Sequence, residues 1–192
     1  FLSYLDIPLQ HTHDDVLRAM NRPAFATARA ALDLARTLVP DIVLRTTLLV
    51  GFPGETMQHF DKLVHDVEEL AFDWLGAFTY SREPGTPSFD LPNTVPEATK
   101  VQRLETLMEV QKGITTRANR ERLGQVYSVL VDRDIDEQVG GAVGHAWFQA
   151  PEIDGASYLS RPAPAGALQP AVVTKVRDAF DVVASPLAAT SK

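Results

Sequence analysis

The sequence predicts an α/β domain of parallel strands with crossover helices, followed by a small antiparallel OB-like β-barrel. Two observations carry this. As far as Tyr80, apolar strand-like runs alternate with helices that carry one apolar stripe, and short links join them. From Gln125 the pattern changes to short β segments separated by Gly and Pro.

The elements follow in order. Tyr4 to His11 reads as a buried strand ending in polar residues, with Pro8 suited to a strand end. Thr12 or His13 leads into Asp14, Asp15 and a short helix through Met20, with acids at the positive end of the helix dipole. Ala24 to Val39 is an alanine-rich helix with Ala28, Ala31, Leu32, Ala35 and Leu38 on one face. Ile42 to Val50 is a strand, rich in β-branched and apolar residues.

Gly51-Phe52-Pro53-Gly54 then breaks the chain, and Thr56 to Leu70 is a helix with Phe60, Leu63, Val64, Val67 and Leu70 at three- and four-residue steps. Trp74 to Tyr80 is the third strand. Alternation of this kind predicts a parallel sheet with right-handed crossovers. Ser81 to Pro96 is a proline-rich loop. Thr94 and Glu97 read as a capping box, opening a helix whose stripe is Val101, Leu104, Leu107, Met108 and Ile114 and which ends at Gly124. Beyond it, strands are expected at Tyr127–Val131, Val143–Phe148, Ala156–Leu159, Ala171–Lys175 and Phe180–Ala184, with a turn at Val139-Gly140-Gly141. The domains read as 1–116 and 117–184, with 185–192 a flexible tail.

Composition narrows the function. The chain has 192 residues, 45% of them hydrophobic and 22% charged, which is ordinary for a soluble globular protein. It opens in an apolar run without Met and reads as a piece of a longer protein. There is no cysteine, so these residues offer no disulfide, thiolate zinc site, cysteine nucleophile or cysteine-ligated iron–sulfur cluster. The formal net charge is −7, which argues against a nucleic-acid partner and for a basic or neutral one.

The strand-turn-helix at Gly51 is where a ligand is expected, because in α/β folds ligands bind at the carboxyl ends of strands. Gln10 and His11 end the first strand on that rim, and Tyr80 and Ser81 end the third. Solvated loop residues would give the same pattern for Gln10 and His11. His11 with His13 could begin a metal site, but no third ligand has suitable spacing and no metal is expected. Arg45 begins the central strand. It is a carboxylate clamp if it reaches the ligand, and otherwise a surface ion pair. Glu55 is either a ligand contact or an acid at a helix start. Glu152 and Asp154 form an acidic turn that is either a partner surface or a tight connection.

These residues resemble a known family. Tyr4 through His11, Met20-Asn21-Arg22-Pro23, Val50 through Thr56, Phe78-Thr79-Tyr80-Ser81 with Gly85-Thr86, and Ala150 through Gly155 are similar to the radical S-adenosylmethionine (SAM) methylthiotransferases. The closest branch is RimO, which modifies an aspartate of small-subunit ribosomal protein twelve; the glycine motif is shared with the tRNA-modifying MiaB branch. The resemblance covers residue 4 to about residue 184. It implies that the first domain is the second half of a radical SAM partial TIM-type barrel and the second a TRAM domain. It implies cofactor contacts at Gln10, His11, Arg45, Gly51, Glu55 and Tyr80, with Gly51 and Glu55 standing for the family's Gly-x-x-x-Glu motif. The acidic turn of Glu152 and Asp154 is its candidate contact to the protein substrate.

The resemblance further implies a cytoplasmic enzyme that uses SAM and two [4Fe-4S] clusters. A deoxyadenosyl radical would abstract hydrogen from the aspartate β-carbon, and an auxiliary cluster would supply sulfur. The family's three-cysteine motif and its N-terminal domain are absent from these residues, so this piece alone is expected to be inactive. His145, where arginine is common, and Asp181-Val182-Val183-Ala184, where Asp-Leu-Trp-Gly is usual, depart from the family pattern. From residue 119 onward seven Lys or Arg face nine acids, a net of −2. That suits a basic ribosomal protein better than tRNA, which a basic barrel should grip. The alternatives are a MiaB-type tRNA enzyme and a non-catalytic TRAM binding module.

Overall fold

The computed structural model of the chain describes residues 2–136 and 140–188. Its contacts divide it into two units, residues 5–114 and residues 1–4 with 115–192. Among the described residues no helix is long and apolar enough to cross a membrane.

The α/β unit contains β1 (Tyr4–Asp6) except Tyr4, α1 (Asp14–Ala19), α2 (Phe25–Leu38), β2 (Val43–Val50), α3 (Met57–Leu70), β3 (Trp74–Thr79) and most of α4 (Glu97–Glu121). The strands form one sheet in the order β1-β2-β3, with β2 and β3 parallel. The expected first strand is shorter than read. Past Asp6, Ile7 N still donates to Arg45 O at 3.0 Å and Gln10 bridges Leu48, but Pro8 has no N–H to continue the ladder.

Burial alternates along β2. Leu44, Thr46, Leu48 and Val50 are buried, while Arg45, Thr47 and Leu49 are half-buried. The buried row meets Leu32 of α2, Phe60, Leu63, Val67 and Leu70 of α3, and Leu107 and Ile114 of α4. Burial stabilises by about 1.5–3 kcal/mol for each large side chain. Thr46 is tolerated in this row because its hydroxyl donates to Ile7 O at 2.8 Å. The sheet thus has one helix-covered face and one open face.

Two details differ from expectation, and one helix end carries an unusual cap. A capping box lies at Thr56 and His59, opening α3, while α4 begins at Glu97 itself, so Glu97 is not the third helical residue that the expected box requires. Histidine can close it because His59 Nδ1 accepts from Thr56 N at 3.3 Å. The buried stripe of α4 is also rotated. Lys100, Arg103, Leu107, Gln111 and Ile114 are buried, while Val101 is 44% exposed. Finally, α3 ends at Ala71 in the left-handed region (φ 46°), where the Arg36 guanidinium donates to Leu70 O and Ala71 O. That cap takes the place of the glycine usually found there.

The second unit is a closed five-stranded barrel of β4 (Val126–Asp136), β5 (Gly141–Ala146), β6 (Ser157–Leu159), β7 (Leu168–Val176) and β8 (Val182–Pro186), in the order β4-β5-β6-β8-β7. Closure removes the sheet edges. Four of its pairs are antiparallel and β6-β8 is parallel. Its core is built of small residues, with Ala142, Ala163, Ala171 and Ala184 around Val129, Val131 and Leu159. The last turns of α4 belong to this unit, where Asn119 Nδ2 donates to Ala179 O at 3.1 Å. The strand expected from Phe180 runs instead from Val182 to Pro186, so Ser185 and Pro186 are paired to β7 and are not tail. Val139 of the expected turn and residues 189–192 of the expected tail lie outside the described residues.

Candidate functional site at the carboxyl rim of the sheet

The parallel register carries the three strand ends to one rim. Val50 lies opposite Thr79, and Tyr80 N donates to Val50 O at 2.8 Å. Gln10 N donates to Thr47 O at 2.8 Å and Gln10 O accepts from Leu49 N at 2.7 Å, which places Gln10 beside the same end of β2. Gln10, Gly51 and Tyr80 are therefore brought together. Gln10 is half-buried and in the left-handed region, φ 68°.

Gly51 does not leave an open space. It is buried at φ +79°, and a β-carbon there would overlap the Lys100 side chain. Lys100 runs past it to donate Nζ to Tyr80 O at 2.8 Å. Tyr80 is buried as well. Its ring meets Phe52 edge-on, 5.2 Å between centroids, and with Val16 they form a small apolar cluster on which Met20, Leu49 and Leu91 pack.

Glu55 is turned inward and ties the turn shut. One carboxylate oxygen accepts from Gly51 N at 2.6 Å and Phe52 N at 3.3 Å, and the other from Arg103 Nη1 at 2.8 Å. Burial pushes the Glu55 carboxyl up, while Arg103 and the two N–H groups pull it back. Glu55 thus acts on the conformation of the glycine turn. The helix behind it begins later, with Thr56 as N-cap.

His11 is fully buried, and its Nδ1 accepts from His13 N at 2.9 Å. Its Nε2 points at Glu55 Oε2 from 4.0 Å, beyond hydrogen-bond range. Burial first, then the His13, His59, Lys62 and Arg103 charges, lower its pKa to about 3. The unfolded ring therefore takes a proton from about pH 6.5 downward while the folded ring refuses it until about pH 3. Stability contributed by neutral His11 is complete above the first value and is lost on acidification between the two. From pH 7.5 to 5.5 that loss is roughly 1 kcal/mol. Urea unfolding at the two pH values should show it, and His11→Gln should lose that part of the slope. Equal slopes in both proteins would contradict it.

The open face carries another set of groups. Arg45, Thr47 and Leu49 line it from β2, opposite Trp74, Gly76 and Phe78 of β3; it is closed at its amino end, where Trp74 is buried and the Arg45 side chain is 12% exposed, and opens toward Phe78. Phe78 is 60% exposed. Arg45 stands at the start of β2, away from Gly51, and its Nη1 donates to Asp6 at 2.8 Å and Thr47 at 3.3 Å. It shares the open face with the rim but does not reach Gly51. In the barrel unit Asp154 Oδ2 accepts from Ala150 N at 2.8 Å and from the Tyr4 hydroxyl at 2.6 Å, so it closes its own turn. Glu152 is exposed, at φ 64°.

Sequence reading missed Lys100, Arg103, Thr47 and Phe78. The signal for the last two is the period-two alternation of the strands. The signal for the cations is their three-residue spacing ahead of Leu107 and Ile114, continuing one helical face. A cavity of about 240 Å³ lies between the chain after β1 and helices α1 and α2, lined by Ile7, His11, Leu17, Arg22, Phe25 and Ala28 among others. Gly51 and Tyr80 do not border it.

Comparison with known proteins supplies domain matches and relatives. The radical SAM superfamily model matches residues 2–67 and the TRAM domain model matches residues 123–186. A protein of Synechococcus sp. strain JA-2-3B'a(2-13), named ribosomal protein uS12 methylthiotransferase RimO, is 44% identical over 97% of this chain and 40% of its own length. Proteins of the same name from Oleidesulfovibrio alaskensis and Synechocystis sp. are 44% and 43% identical over 96% and 92% of this chain, and over 43% and 40% of their own. The chain thus carries a radical SAM match and a TRAM match, and is similar along nearly all of its length to proteins named RimO. It spans about two fifths of the length of the curated relatives it matches. Among solved structures, coproporphyrinogen III oxidase (HemN) of Escherichia coli, a radical SAM enzyme, superposes with a TM-score of 0.52 at 16% identity. That match covers 98% of this chain and 46% of the oxidase, and it shows a shared fold. The radical SAM match thus falls on the part with the parallel strands, and the TRAM match on the closed barrel.

Proposed function

We propose that this chain is part of an enzyme that methylthiolates the β-carbon of an aspartate in ribosomal protein uS12, using SAM. The observation that carries the reading is the 44% identity to a uS12 methylthiotransferase along 97% of the chain. SAM, when bound, supplies the radical and the methyl group. Iron–sulfur clusters of the cysteine-ligated kind do not fit these residues, which include no thiolate, so no step is assigned to them here.

The residues do fit a SAM site in chemistry. The open sheet face offers a polar row, Arg45 and Thr47, beside the exposed Phe78, with half-buried Gln10 at its rim. In this reading Gln10 would hydrogen-bond the cofactor's polar groups, and Phe78 would give a flat apolar surface to an adenine. Arg45 would set the charge of the face. Gly51, Glu55, His11 and Tyr80 would act through position: they hold the turn and the strand ends in register, and Lys100 and Arg103 brace them. Domain limits of 1–116 and 117–184 are part of this proposal, the second domain presenting Glu152 to the substrate and Asp154 shaping the turn.

The acidic balance from residue 119 onward favours a basic protein as partner. Fluorescence anisotropy should show this chain binding uS12 with a shallow salt dependence and binding tRNA more weakly. Tight, steeply salt-dependent tRNA binding would transfer the reading to the tRNA-modifying branch.

A further inference from the structure

His13, Asp15 and His59 meet beside the rim, at the starts of α1 and α3. One ligand-type atom of each lies within 4.8 Å of the other two. The two imidazole rings lie tilted by 31° with centroids 4.0 Å apart. His13 is the N-cap of α1, and His59 is the third residue of α3, so two separate helix starts converge on one point.

We propose that His13, His59 and Asp15 form a site for one divalent transition-metal ion of the zinc type, which clips α1 to α3 beside the glycine turn. The donor set is chemically suited: two imidazoles and one carboxylate select such ions over magnesium or calcium. Three protein ligands leave a position for water, as in open zinc sites. Two nitrogens on one tetrahedral zinc lie roughly 3.4 Å apart, so the groups close by an ångström or so on binding.

Each donor has capacity for the ion. Asp15 Oδ1 accepts from Arg18 Nη1 at 2.9 Å, while Oδ2 lies on the histidine side, 4.0 Å from His13 Nδ1. His13 Nδ1 accepts from Asp15 N at 3.2 Å, and His59 Nδ1 accepts from Thr56 N at 3.3 Å, both long bonds. The ion takes one lone pair from each ring. It either replaces a long bond at Nδ1, or binds Nε2 after that nitrogen's proton is released and Nδ1 becomes protonated. The nearby cations do not block it, because Lys62 pairs with Asp66 at 2.5 Å and Arg103 with Glu55 at 2.8 Å. The clip lies close to the rim: His13 N donates to His11 Nδ1, and His11 faces Glu55. This proposal is independent of the transferase reading, since no cofactor or substrate enters it.

Titration of the 192-residue chain with Zn²⁺ should show one tight equivalent and a thermal midpoint raised by several degrees. Co²⁺ should give the visible absorption of a low-coordinate site. His13→Ala and His59→Ala should each weaken binding at least tenfold, the lower end of what loss of a supporting partner costs. His65→Ala should leave it unchanged. Should the alanine variants fail to fold, histidine modification by diethyl pyrocarbonate in the wild-type chain decides: saturating Zn²⁺ should protect His13 and His59 and leave His65 reactive. Absence of a stoichiometric equivalent, binding lost on His65→Ala, or no protection of His13 and His59 would overturn the proposal.

Discussion

Arg103→Met is expected to destabilise the α/β unit by about 3–5 kcal/mol, the cost of leaving one partner of a buried ion pair without the other. Both partners are nearly inaccessible: the Glu55 side chain is 0% exposed and that of Arg103 is 7%. Methionine replaces the aliphatic stem but gives Glu55 no charge. The carboxylate then either keeps its charge in an apolar setting or takes a proton and loosens its hold on Gly51 N and Phe52 N. The pair variant Arg103→Met with Glu55→Gln should recover part of the loss, because glutamine removes the uncompensated charge and keeps an acceptor for Gly51 N. Urea unfolding of the three proteins checks this. A single variant within about 1 kcal/mol of wild type would mean that the pair contributes no more than a surface contact.

Gly144→Ala should damage the barrel at least as much, by about 4 kcal/mol. Gly144 lies opposite Val131 in the antiparallel β4-β5 pair. A β-carbon on it would overlap Leu130 O and stand 3.0 Å from Val131 Cα. Both obstacles are backbone, so no side-chain rotation relieves them, and the two strands must separate where the barrel closes. For a unit of this size that corresponds to a midpoint lowered by roughly 15–30 °C. A melt followed by the near-ultraviolet signal of Trp147, next to the β5 end, reads it. A midpoint within about 3 °C of wild type would show that β5 has room to move.

Much of the fold was legible because it rests on periodicity and punctuation. The alternation at Thr46 to Val50, the stripe from Phe60 to Leu70 and the break at Gly51 to Gly54 place β2 and α3 without any tertiary knowledge. The common rim of Gln10, Gly51 and Tyr80 follows from parallel pairing alone. What periodicity misses is a buried charge. Lys100 and Arg103 fall outside the apolar stripe drawn for α4, yet they lie on its buried face because Tyr80 O and the Glu55 carboxylate stand opposite them. A hydrophobic stripe drawn through Val101 is therefore off by a fraction of a turn. The inward role of Glu55 was hidden for the same reason, since its partner is 48 residues away in sequence. The histidine cluster was illegible because His59 joins His13 only when α3 docks beside α1. Short β strands between Gly and Pro were easy to count, but their ends were not: β8 reaches Pro186 because β7 offers Ala171 as a partner.

The central claim is that the carboxyl rim and open face of the sheet receive SAM. Amide chemical shifts of the ¹⁵N-labelled chain, followed while S-adenosylhomocysteine is added, test it most directly. The account predicts that the shifted amides cluster at Gln10, Thr47, Gly51, Phe52 and Phe78. An unchanged spectrum at saturating ligand, or changes confined to the cavity beneath α1 and α2, would contradict it.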